Sequence, residues 1–154
     1  MASGRAPHSS ILRTASTYFG IVFAAGFALG TVRTLFVAPR TGELVAVSLE
    51  LPLMLLISWY ACGYSLRRFP IPESAAAHAA TGALAFAFLL VAELALTLTA
   101  FGGTPATFAA ALITPPGALG LAGQVAFALM PLAHLVKTKR RPPTVSSGRP
   151  KPHT

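Results

Sequence analysis

Four long apolar runs, set apart by short segments that carry most of the charge, constrain this chain more than any other feature. A helix needs about 20 mostly apolar residues to cross the hydrocarbon of a bilayer. The runs cover residues 18–38, 44–66, 75–101 and 117–136. Few polar side chains interrupt them: Arg33 in the first, Glu50 in the second, His78 and Glu93 in the third, Gln124 in the fourth, with Pro131 near its exit. None alternates polar and apolar with period two, which argues against a membrane β-barrel. In lipid each backbone amide needs a partner within its own segment, and a helix supplies one. Length alone does not decide the matter, because 154 residues could bury an ordinary core. Charge does: 10% of the residues are charged, against about 25% in soluble domains. The expected fold is all-α, a four-helix transmembrane bundle over residues 17–136. It follows an N-terminal segment, 1–16, and precedes a basic tail, 137–154.

Lys and Arg give the bundle a direction. With four spans, the two termini and the middle loop share one side of the membrane. That side holds Arg5, Arg13, Arg67 and Arg68, and the tail adds Lys137, Lys139, Arg140, Arg141, Arg149 and Lys151. The other side holds Arg33 and Arg40, so the bias is ten against two of the 12 basic residues. Positive flanks stay in the cytoplasm, so both termini are expected there. The first run could also be read as a signal peptide, with Ala28-Leu29-Gly30 as a small-x-small site. It runs on to Ala38, longer than an ordinary signal core. The net charge of +8 suggests nucleic acid at first sight, but no nucleic-acid motif accompanies it. Anionic lipid headgroups are the expected partner of the tail, which is rich in Pro, Ser and basic residues and is expected to be disordered.

Charge inside the apolar runs is the next clue, because it costs about 2.5–3.5 kcal/mol per residue at the bilayer centre. The first hairpin turns near Pro39-Arg40-Thr41-Gly42-Glu43. Arg33 and Glu50 are equidistant from the Thr41–Gly42 bond, and so are Arg40 and Glu43. Antiparallel helices therefore bring each pair to one depth. Arg33 and Arg40 are seven residues apart, two turns on one helical face, as are Glu43 and Glu50. A ladder of Arg33–Glu50 inside and Arg40–Glu43 at the rim is expected. Pro52 weakens the second helix locally and frees a carbonyl for a polar neighbour. Glu93 lies about 12 Å from the outer end of its span, and Gln124 at a similar depth in the fourth. The candidate polar site is thus Arg33, Arg40, Glu43, Glu50, Glu93 and Gln124, in the outer half of the bundle. These residues are equally compatible with a ligand or ion site and with ion pairs that only fix helix register.

The remaining residues speak mainly to packing. Gly26 and Gly30, the Ala79-Ala83-Ala87 repeat, and Gly120 with Gly123 place small faces where helices can approach closely in lipid. Dimerisation through Gly26 and Gly30 is the alternative. Trp59, Tyr60 and Tyr64 suit an interfacial belt at the cytoplasmic end of the second span. Cys62 suits a small buried hydrophobe. His8, His78, His134 and His153 are scattered without metal-pair spacing and suit surface or interfacial positions.

The strings Gly30-Thr31-Val32-Arg33, Pro39-Arg40-Thr41-Gly42-Glu43 and Glu50-Leu51-Pro52-Leu53-Met54 resemble an uncharacterised family of small bacterial four-span inner-membrane proteins. Phe127-Ala128-Leu129-Met130-Pro131 looks like the close of the same family. The resemblance covers roughly residues 18–132. It implies four spans and a bacterial plasma membrane, and no activity. The uncharged loop from Gly102 to Pro116 lacks the polar residues expected there.

No nucleophile elbow, zinc-protease helix, P-loop or dinucleotide turn occurs, and the chain has no Asp. No cofactor, metal or catalytic residue is indicated. Two functions remain. In the first, the Arg/Glu cluster binds, or helps to move, a small anionic ligand or lipid, with a homo-oligomer supplying further spans. In the second, the chain is a structural or accessory subunit of a larger membrane complex and the cluster serves helix packing alone.

Overall fold

The computed structural model describes residues 7–140. Helix begins earlier than the first apolar run. Helix α1 spans Pro7–Val32, and a proline in the first turn sacrifices no hydrogen bond. Much of the expected N-terminal segment is therefore helical. A π-helical turn over Arg33–Val37 and the short α2, Ala38–Thr41, carry the same rod to the hairpin bend. The bend is one residue: Gly42 at φ 81°, ψ 155°, backbone that side chains with a Cβ avoid.

Helix α3 runs Glu43–Arg68, through Pro52. Helix α4, Ala75–Thr99, starts at Ser74, whose hydroxyl accepts the Ala77 N–H. The segment expected to be a plain loop contains a further helix, α5, Pro105–Leu112. Thr104 and Thr107 cap it reciprocally. Helix α6 spans Pro115–Lys139 and holds Pro131 inside. Lys137 and Lys139 are thus helical and not part of a loose tail. The rest of that tail, residues 141–154, lies outside the described residues, as do residues 1–6.

The four long helices form a square. Each of α1 and α6 packs on both α3 and α4, while α1 faces α6 and α3 faces α4 across the diagonals. The connection from α3 to α4 therefore crosses the terminal end of the bundle. Thr14 pins it there by donating to the Phe69 carbonyl at 2.7 Å. The opposite end, with Gly42 and α5, is the hairpin end.

What faces outward is apolar. In the most hydrophobic stretch of each long helix no more than 22% of the residues are buried. Leu35, Leu49 and Val91 are more than 60% exposed. Contiguous apolar surface of this extent suits hydrocarbon and not water. Among the described residues, four helices are long and apolar enough to cross a bilayer, as a multi-pass membrane protein requires.

The tightly packed half is the terminal one, around Tyr18, Cys62, Ala85, Phe127 and Met130. There α4 and α6 touch backbone to backbone, since a Cβ on Gly82 would overlap the Ala128 carbonyl. Of the small residues expected to allow close approach, Gly26 and Gly123 do so, against the Met54 and Leu51 side chains, and the others do not. Ala79, Ala83 and Ala87 are exposed on the outer face of α4. On α1, a Cβ on Gly30 would meet nothing within 4 Å. Spacing identifies a face of small residues but not which neighbour it meets.

Pro131 shows how the core settles its polar accounts. It has no N–H to give the carbonyl four residues back, that of Phe127. Tyr18, fully buried on α1, donates its hydroxyl to that carbonyl at 2.9 Å. Its ring stacks on Phe127 with centroids 4.3 Å apart. The exchange expected at Pro52 is thus found at Pro131.

Candidate functional site

Arg33 opens the π-helical turn. Its Nε lies 2.7 Å from Glu50 Oε2, with the two side chains 23% and 17% exposed. The N–H does not point along that contact, so the interaction is an ion pair more than a linear hydrogen bond. The same guanidinium reaches Glu43 Oε1 through Nη1 at 3.4 Å. One arginine therefore holds two glutamates.

The outer rung expected between Arg40 and Glu43 is not made. Arg40 donates to its own Phe36 carbonyl at 2.6 Å. The cause is the π turn, whose Ala38 N–H bonds the Arg33 carbonyl five residues back. This bonding adds a residue to the turn, so seven residues no longer make two turns. Arg33 and Arg40 leave their common face.

Across the bundle, Gln124 on α6 donates through Nε2 to Glu93 Oε1 on α4 at 2.6 Å. Its Oε1 is buried without a donor. These two residues, expected only to share a depth, are bonded to each other.

Both pairs line one cavity of about 540 Å³ in the hairpin-end half. Its polar residues are Arg33, Glu43, Glu50, Glu93 and Gln124, joined by Ser58 and Thr114. Arg40 is not among the lining residues. Along α3 the lining runs from Glu43 to Ser58, about 22 Å of helix. Glycine provides room at Gly30 on α1 and Gly120 on α6, where a Cβ would meet nothing within 4 Å. The floor is Phe127, with Tyr18 beneath it.

Helix α5 supplies a wall through Ala111 and Leu112. It sits close because Gly117 carries no Cβ to strike the Ala111 carbonyl. The uncharged loop carries no chemical signal in the sequence. Its contribution is shape, and the one available signal was the Thr104-to-Thr107 spacing of a helix cap.

The terminal half is different in kind. His78 is 6% exposed, contrary to the surface position expected of it, and its Nδ1 lies 3.0 Å from the Ser74 carbonyl. His134 stacks on Trp59 at 4.0 Å and lies 3.1 Å from its carbonyl. Tyr60 and Tyr64 point outward, 67% and 51% exposed, as a belt requires. Comparison with protein-family models, with curated proteins and with solved structures finds no match.

Proposed function

We propose that this chain is a small multi-pass protein of a bacterial plasma membrane whose hairpin-end cavity holds a small amphiphilic ligand, or helps to move it. One observation carries the reading. Four helices each place a polar side chain into a single cavity that is otherwise lined mostly by apolar groups and glycine. Its volume falls within the roughly 300–1,000 Å³ of small-molecule sites, which pair an apolar lining with a few placed polar groups. Ionisable groups at membrane depth are functional candidates on energetic grounds. The Lys and Arg bias supports cytoplasmic termini, and the cavity then opens toward the outside. The chemistry is binding, not catalysis. An anionic ligand, the form suggested by the sequence, would rest on Arg33 alone, because Arg40 is outside the lining.

Native mass spectrometry of the protein in lipid nanodiscs tests this. A small molecule should be retained by the native chain and lost from Gly120→Leu, which fills the cavity from a position with open space around it. Bare protein in both cases overturns the reading. A second reading, an accessory subunit, is favoured by the outward Ala79, Ala83 and Ala87 face. It predicts a larger complex that dissociates in Ala83→Leu while the cavity stays empty.

A further inference from the structure

The side chains that give the cavity its charge do not balance. Arg33 is the cation among the lining residues, and Glu43, Glu50 and Glu93 are the anions. With all four ionised the lining carries a net −2, from one positive and three negative groups. With Glu93 holding a proton it still carries −1. Backbone dipoles do not alter the sign. Two long-helix N-termini (α3 and α6) and two C-termini (α2 and α4) meet at this end, and their partial charges oppose one another.

Arg33 is moreover committed, with one glutamate at 2.7 Å and a second at 3.4 Å. An incoming anion would have to displace a carboxylate and then face those that remain. An incoming cation meets the surplus. Apart from Gln124, Ser58 and Thr114 the rest of the lining is apolar, and Phe23, Phe27 and Phe127 bring aromatic rings, whose faces attract cations. Gly30 and Gly120 leave the apolar part wide.

We infer that the cavity selects a hydrophobic cation, an onium or ammonium group on a compact apolar body. Glu93 and Glu50 supply the attraction and Arg33 tempers it. This rests on the cavity reading above and names its ligand class. A free hydrophobic amine and the head of a cationic lipid share this chemistry.

The test uses two probes of the same shape and opposite charge, tetraphenylphosphonium and tetraphenylborate. Binding is measured to the full chain in zwitterionic nanodiscs, with empty discs subtracted. Tetraphenylphosphonium should bind and tetraphenylborate should not. Glu93→Gln should weaken the cation about tenfold. Arg33→Gln should tighten it, the opposite of what an anion site predicts. Gly120→Leu should abolish it without changing any charge. Competition by a diacyl trimethylammonium lipid would favour the lipid head as the source, and its absence a free amine.

Tetraphenylborate binding as well as the cation overturns the charge assignment and leaves the cavity reading intact. So does loss of cation binding in Arg33→Gln that still shows native Trp59 emission. Cation binding unaffected by both Glu93→Gln and Gly120→Leu places the probe elsewhere and overturns the inference. Failure of the folded native chain to bind either probe overturns the cavity reading as well.

Discussion

Removing Glu50 alone should cost more stability than removing it together with Arg33. In Glu50→Ala the guanidinium keeps only Glu43, at 3.4 Å and 67% exposed. Breaking one side of a buried ion pair costs about 3–5 kcal/mol, because the other charge is left uncompensated. Arg33 retains a weak partner and 23% exposure, so the cost falls just below that range, at about 2–3 kcal/mol. Arg33→Ala strands two carboxylates and should cost a similar amount. The double variant removes both charges and both desolvation penalties, and should lose only about 1–2 kcal/mol. The coupling energy is then about 3 kcal/mol, far above the roughly 0.5 kcal/mol scatter of independent sites. Reversible unfolding by dodecyl sulfate in bicelles measures it. Trp59, the single tryptophan, is the reporter. It sits in the terminal half against His134, away from the mutations, and so reads global unfolding. Additivity of the two single variants would refute the claim that Arg33 and Glu50 form a desolvated pair.

Three further outcomes follow from the same structure. Tyr18→Phe should cost about 1 kcal/mol through the lost bond to the Phe127 carbonyl. In a Pro131→Ala background, where the helix supplies its own donor, that cost should fall by half or more in the same titration. Gly82→Ala should destabilise by about 2 kcal/mol because it forces α4 from the Ala128 carbonyl, whereas Gly30→Ala and Gly120→Ala, with open space around them, should stabilise by about 0.5–1 kcal/mol. A paired fluorescent-protein and alkaline-phosphatase reporter after Thr154 should read cytoplasmic; phosphatase activity would reverse the orientation.

The spans were legible because hydrocarbon thickness sets a length that no local detail can disguise. Arg33–Glu50 was legible because a hairpin ties position along the chain to depth. Arg40 was misplaced for a reason that leaves no trace in composition. The π turn has no residue signature here, yet it rotates everything after Val37. Helix α5 was hidden because residues 105–112 carry no charge, so no polar face marks a period. Ala83 and Gly82 are neighbours of nearly equal size. Only the partner helix decides that Gly82 makes the close contact and Ala83 faces away. A polar pocket at the depth of Arg33, Glu50, Glu93 and Gln124 was legible, but its size was not, since glycines that admit a helix and glycines that leave space read identically.

Phe127 occupies three roles at one point on α6. Its ring closes the bottom of the cavity, the same ring stacks on Tyr18, and its carbonyl is the one that Pro131 leaves without a backbone donor. Pressure on the ring from above and bending of the helix below are therefore mechanically linked. A ligand that pushed the ring aside would also strain the tyrosine bond to the carbonyl that Pro131 leaves without a backbone donor.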